Sequence, residues 1–127
     1  MNVLIIDDDP EDTSLFCEAL NELYPNATCT VAHSSDYIHT SLERIVEMDI
    51  IFMDGHMQPM DGQSCLEQLI KCVDRSKTKI VVYSGSLSPK EQLDMKKIGA
   101  DYILLKAPSY YLLKENIGKI FATHFRA

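Results

Sequence analysis

The sequence predicts an α/β domain built on a doubly wound, five-stranded parallel sheet of order 2-1-3-4-5, with helices on both faces. Three observations lead there. Short apolar runs recur along the chain (VLII, ATCTVA, IIFM, IVVY and YILL), each bounded by turn formers or charge. Between them lie segments whose apolar residues return every three or four positions, the period of an amphipathic helix. The spacing of roughly twenty-five residues from strand to strand leaves room for one crossover helix each time, the pattern of a parallel sheet covered on both sides. The order 2-1-3-4-5 sets the carboxyl ends of the first and third strands side by side, where such sheets keep their chemistry.

The elements follow in order. Val3 to Ile6 forms a buried strand that stops at Asp7, Asp8 and Asp9. Pro10 suits a first helical turn, Glu11 and Asp12 suit its positive end, and Leu15, Phe16, Ala19, Leu20 and Leu23 give the helix one apolar face. Tyr24, Pro25 and Asn26 break it, and Ala27 to Ala32 is the second strand. Ser35 or Asp36 is expected to cap a helix carrying Ile38, Leu42, Ile45 and Val46. The third strand, Ile50 to Met53, ends at Asp54, and a loop rich in turn formers runs to Gly62.

Leu66, Leu69, Ile70 and Val73 mark the next helix, and Ile80 to Tyr83 the fourth strand, followed by Ser84, Gly85 and Ser86. Ser88-Pro89-Lys90-Glu91 reads as a capping box with proline at the first helical position. The helix it opens has a thin stripe of Leu93 and Ile98 with Met95 to one side, and Gly99 ends it. Tyr102 to Leu105 is the fifth strand, stopping at Lys106; Ser109 caps a last helix through Leu113, Ile117, Ile120 and Phe121.

Composition narrows the function. The 127 residues make one domain, 1–127, with 46% hydrophobic residues for a single core. Twelve Lys and Arg against nineteen Asp and Glu give a net charge of -7, which disfavours nucleic acid and anionic membranes as partners. No apolar run is long enough to cross a membrane and no secretory leader is evident, so the cytoplasm is expected. Cys17, Cys29, Cys65 and Cys72 lack the close pairing of zinc or redox sites and read as buried reduced thiols. Of the four histidines only His56 lies near a strand end that carries charge; His33, His39 and His124 read as surface residues.

The strand ends collect Asp7 and Asp8, Asp54, Ser84 and Lys106 at one edge. Three converging carboxylates repel, which calls for a cation, and carboxylates with a backbone carbonyl suit Mg²⁺ better than zinc. An aspartate beside Mg²⁺, a lysine and a small hydroxyl is equipped to accept a phosphoryl group, a transfer that needs positioning and charge neutralisation above all. Asp54 is then the nucleophile, Lys106 and Ser84 hold phosphoryl oxygens, and Gly85 leaves access from solvent or a donor.

LIIDDDPED, FMDGHMQPMDG, VVYSGS and GADYILLKAP, in this order and spacing, resemble the response regulator receiver domains of two-component signalling, whose fold is flavodoxin-like. The resemblance implies phosphorylation at Asp54, metal binding by Asp8 and Asp54 with Asp7 acting through bound water, and a backbone carbonyl from His56. It implies Ser84 as the hydroxyl that moves toward the phosphoryl group and Lys106 as its charged partner. His56 and Ser86 occupy positions that flank the path of an attacking water in the family. A histidine kinase or histidine phosphotransfer protein is the implied donor, and a downstream protein or onward phosphotransfer the output. A stand-alone, non-enzymatic switch is implied, monomeric or a weak phosphorylation-linked dimer, with no output domain in these 127 residues.

The sequence departs from the family pattern at three places. Gln58 stands where a proline is usual, with Pro59 one place late. Ala107 separates Lys106 from Pro108, and since a cis bond before a non-proline costs about 2.5–4 kcal/mol, the expectation there is a trans bond or strain held by the site. Ile103 occupies the usual aromatic position, with Tyr102 one residue early and therefore on the opposite face of the strand, and Tyr83 is no obvious replacement. These departures keep open a receiver-like binding module without switching. A haloacid dehalogenase-type phosphatase also uses a strand-end aspartate and Mg²⁺. Its Asp-x-Asp-x-Thr motif is unmatched, because Glu11 stands where the threonine would follow Asp7 and where the second aspartate would follow Asp9. Tyr110 and Tyr111 offer a contact patch, one of the pair being expected to pack inward.

Overall fold

A computed structural model describes residues 1–56 and 61–124. The chain runs β1 (Asn2–Ile6), α1 (Pro10–Leu23), β2 (Thr28–Ala32), α2 (Tyr37–Thr40), α3 (Leu42–Ile45), β3 (Ile50–Met53), α4 (Gly62–Cys72), β4 (Lys79–Ser84), α5 (Pro89–Ile98), β5 (Tyr102–Leu105) and α6 (Tyr110–His124). The five strands form one parallel sheet of order β2-β1-β3-β4-β5, as the sequence predicts.

Side chains alternate across the strands and so build two cores, one on each face. Val3, Ile5, Ile50, Phe52, Val81 and Tyr83 face α1 and α6, meeting Phe16, Leu20, Ile117 and Phe121. Phe52 anchors this side, its ring centroid 4.6 Å from that of Phe16 and 6.3 Å from that of Phe121. Leu4, Ile6, Ile51, Met53, Ile80 and Val82 face the other way, toward Ile38, Ile45, Cys65, Leu66, Leu69 and Met95. Tyr102 and Ile103 divide as the sequence implies, Tyr102 joining the α1/α6 core and Ile103 the opposite one.

Helix ends follow the chemistry of their caps. Asp9 accepts from the N–H groups of Glu11 and Asp12, and Pro10 opens α1. Asp61 accepts from Ser64 N–H at the start of α4, and Ser88 and Glu91 close a full capping box on α5. Ser109 Oγ accepts from Leu112 N–H. Gly99 ends α5 at φ 134°, in the region that favours glycine.

Four expectations need correction. The single helix through Ile38 to Val46 is two short ones broken at Ser41, with Asp36 at the start of the first making no side-chain cap. Thr40 Oγ1 bonds back to Asp36 O, and Ser41 leaves helical geometry at φ -136°, the competition that short hydroxyl side chains bring to a helix interior. Ile38 and Ile45 are buried as expected, while Leu42 and Val46 are exposed. On α5 the inward residue is Met95, not Leu93, which is exposed. Leu93 and Ile98 stand five apart, about 140° around a helix, whereas Met95 and Ile98 stand three apart and share a face.

The third correction concerns thiols. Cys17 of α1 and Cys29 of β2 are joined by a disulfide, with Cα atoms 5.8 Å apart, while Cys65 and Cys72 are free. The α1 crossover lays its middle turn over the edge strand β2, a tertiary approach that sequence spacing does not reveal. Burial pushes the Cys65 thiol up to about 12, which leaves it inert. Lastly, β2 begins at Thr28, one residue later than predicted; it is an edge strand with mostly half-buried side chains, so its apolar pattern is weak.

Candidate functional site: an acidic strand-end cluster

Main-chain hydrogen bonds continue past the strands and fix the site residues. Asp7 N–H donates to Ala32 O at 2.9 Å, Asp54 N–H to Ile6 O at 2.8 Å, and Lys106 N–H to Ser84 O at 2.8 Å. Asp7, Asp54, Ser84 and Lys106 therefore meet at one edge of the sheet because adjacent strands end there in register. Asp7, Ser84 and Asp54 are buried, while Asp8 is exposed at the rim.

Carboxylate oxygens of Asp7, Asp8 and Asp54 lie within 4.8 Å of one another. Lys106 Nζ stands 2.8 Å from Asp7 Oδ2, 2.7 Å from Asp12 Oδ2 and 3.6 Å from Asp54 Oδ2. Among the described residues it is the one cation paired with either buried aspartate. Burial raises the Asp54 carboxyl above its ordinary range against the pull of His56 N–H, and the charge of Asp7 adds to the rise while Lys106 opposes it. For Lys106, burial would lower the ammonium, but the hydrogen bond to Asp12, the close carboxylate of Asp7 and the charge of Asp54 carry it above its ordinary value. It stays protonated.

Asp7 Oδ2 is buried and, although within ion-pair distance of Lys106, takes no well-aligned hydrogen bond. An anionic oxygen left so, facing two further carboxylates, fits a hard divalent cation that prefers oxygen ligands. His56 N–H binds Asp54 Oδ1 at 3.0 Å. The His56 ring reaches Ser86 O at 2.7 Å and stands 3.7 Å from Glu91 Oε2, so it braces the loop after β3 against the loop after β4. Among the described residues Ser84 Oγ makes only a long contact, 3.4 Å, to Ser86 O, and a Cβ placed on the exposed Gly85 would meet Lys106 Cδ alone, at 3.9 Å. Gln58 and Pro59 lie outside the described residues.

Two features escape the sequence reading. Asp12, assigned there to decorating the helix start, accepts from Lys106 Nζ, which reaches the first turn of α1 from the residue after β5. Gly62 packs so closely on the other end of its loop that a Cβ there would fall on the Gly55 carbonyl oxygen and within 2.8 Å of Met95 Cε. Tyr83, one residue before Ser84, lies in the α1/α6 core with Lys106 Nζ 5.5 Å from its ring centroid. Tyr110 packs on the same core and Tyr111 is exposed, dividing as expected. Among the described residues no helix is long and apolar enough to cross a membrane.

Comparison with known proteins agrees with this geometry. No curated protein matches the chain in sequence. The chain superposes on the signal receiver domain of a DNA-binding response regulator protein (merR) from Colwellia psychrerythraea 34H with a TM-score of 0.77 at 25% identity, covering 94% of this chain and 97% of that one. The phosphorylated cyanobacterial phytochrome response regulator RcpA gives a TM-score of 0.82 at 16% identity, covering 98% and 94%. The Mn²⁺-bound form of response regulator Rcp1 gives 0.80 at 15% identity, covering 99% and 95%. These two likenesses show the fold. The family model for the response regulator receiver domain matches residues 3–117, nearly the whole chain, and with the acidic cluster, Ser84 and Lys106 gathered at one sheet edge, the chain belongs to the response regulator receiver domain family.

Proposed function

We propose that this domain is a signalling switch that takes a phosphoryl group onto Asp54 from the phosphohistidine of a kinase or phosphotransfer protein. The observation that carries the reading is the placement of Asp54, buried beside the Asp7 carboxylate, with the one ammonium among the described residues, that of Lys106, close to both. In the transfer, an Asp54 carboxylate oxygen forms its bond to phosphorus as the donor P–N bond breaks and the departing imidazole takes a proton from water. Lys106 compensates charge on one phosphoryl oxygen, and Ser84 Oγ, whose contact to Ser86 O is long at 3.4 Å, turns toward another. Hydrolysis reverses the gain: water attacks phosphorus, the P–O bond to Asp54 breaks, and inorganic phosphate leaves.

Asp8 and Asp54, the His56 carbonyl and, through water, Asp7 would hold a divalent ion, in our reading Mg²⁺, which supplies neutralisation of the charge shared by carboxylate and phosphoryl group. Asp7 also accepts from Asp9 N–H, which fixes the turn leading into α1. The domain is thus a switch and not an enzyme acting on external substrates. Its output is a protein contact or onward transfer, and its net charge of -7 supports protein rather than nucleic-acid partners.

Intact mass after incubation with Mg²⁺ and phosphoramidate tests the reading on wild type and Asp54→Asn. A single added phosphate on wild type and none on the variant is expected. Phosphate retained on Asp54→Asn, or none on wild type after incubation with either phosphoramidate or a phosphohistidine protein, would refute it.

A further inference from the structure

Lys106 has three ammonium protons and three carboxylates around it, but it does not stand equally near them. Its shortest contacts are to Asp12 at 2.7 Å and Asp7 at 2.8 Å, while Asp54 is 3.6 Å away. Asp7 is fully buried at the end of β1 and cannot turn aside. Asp12 differs: its side chain is one-third exposed, on the first turn of α1, where it lines a 120 Å³ cavity with Lys106, Tyr83, Ala107 and Pro108. The ammonium is thereby held on the α1 side of the site, nearer to Asp12 than to the carboxylate that receives phosphate.

We propose that Asp12 is a positioning residue that competes with the phosphoryl group for Lys106, so that phosphorylation proceeds only as the Asp12–Lys106 pair opens. This inference rests on Asp54 being the phosphoryl acceptor. A phosphoryl oxygen arriving at Asp54 needs the ammonium drawn toward it, nearer than the 3.6 Å at which it stands from Asp54. Of the two close acids, only Asp12 can give way by swinging into water, where its charge is solvated at little cost. The unphosphorylated state is stabilised by the pair, and the rate of labelling is held down by it. The side chain acts through Lys106 and not on phosphorus.

The test is the rate of Asp54 labelling by phosphoramidate in saturating Mg²⁺. Asp12→Asn is expected to label about two- to fivefold faster, the range that breaking a partly exposed ion pair worth up to 1 kcal/mol supplies. Asp12→Glu, which keeps the pair, should label near the wild-type rate. Glu11→Gln removes the same charge from the same helical turn without touching Lys106 and controls for attraction of the anionic donor. In a Lys106→Ala background, Asp12→Asn should change nothing further.

Equal acceleration by Glu11→Gln, acceleration that persists without Lys106, or no acceleration by Asp12→Asn would each overturn the proposal. Absence of label on the wild type would sink the Asp54 reading instead. The pair itself is then tested by the ¹⁵N resonance of the Lys106 ammonium in unphosphorylated protein. A signal protected from exchange in the wild type and in Asp12→Glu, and lost in Asp12→Asn, is expected; a signal indifferent to Asp12 refutes the competition.

Discussion

Replacing Lys106 by methionine isolates the electrostatic core of the site. The substitution keeps the aliphatic stem and removes the one ammonium that faces Asp7, whose side chain is 0% exposed, and Asp54, whose side chain is 9% exposed. Removing one partner of a fully buried ion pair costs about 3–5 kcal/mol, because the remaining charge is left uncompensated. Lys106 is itself 19% exposed and Asp12 33%, so water recovers part of the loss, and we expect about 2–3 kcal/mol of destabilisation in metal-free buffer. Against a total stability of roughly 5–15 kcal/mol the variant stays folded and the change is readily measured. Divalent cation should then restore more stability to Lys106→Met than it adds to wild type, since no ammonium opposes it. A ligand at a hundredfold excess over its dissociation constant contributes about 2.7 kcal/mol. Urea unfolding of both proteins with and without Mg²⁺ provides the assay. A variant as stable as wild type without metal, or one that gains less from Mg²⁺, would refute the view that Lys106 balances the acidic cluster.

Three further predictions concern the same region and its supports. Gly62→Ala should cost on the order of 2–3 kcal/mol, because the new methyl overlaps the Gly55 carbonyl, and its urea midpoint should fall with the m-value unchanged. The folded Asp54 carboxyl titrates above its ordinary value of 3.8, so between the two values the folded state binds more protons than the unfolded chain, and stability falls as pH rises through that window. The stability of Asp54→Asn relative to wild type in metal-free buffer should accordingly grow from mild acid toward neutrality; a difference constant with pH would contradict the assignment. Reduction of the Cys17–Cys29 bridge, which closes a loop of sequence separation 12, should lower stability by about 2–3 kcal/mol, read as a reductant-dependent shift in melting temperature that Cys17→Ser abolishes.

The sheet was legible because its strands are buried on both faces and end in charge: VLII before Asp7 and IIFM before Asp54 admit few other readings. Right-handed crossovers left few strand orders, of which the doubly wound one is the commonest for this length, and the site followed from that order. What stayed hidden depends on contacts between elements distant in sequence. Nothing local to Asp12 says that its carboxylate meets Lys106, 94 residues away. Cys17 and Cys29 are equally mute until α1 is laid over β2. The break at Ser41 and the choice of Met95 over Leu93 are local, but they turn on weak preferences that packing decides: Ile38 and Ile45 both reach the core from separate short helices, and Met95 fills the space above Gly62.

The main-chain bonds that run on from the strands into Asp7, Asp54 and Lys106 have a consequence for how error accumulates in the site. Three charged groups placed by three independent loops would each bring the loops' uncertainty to their mutual distances, and tolerances would add. Here each backbone position is one hydrogen bond from the neighbouring strand, so misplacement is confined to side-chain torsions. Exchanging a side chain at any of these positions therefore alters charge or reach while leaving the mounting points of the others where they were. The strand ends serve as a fixed jig, and chemical character can be varied on it one tooth at a time.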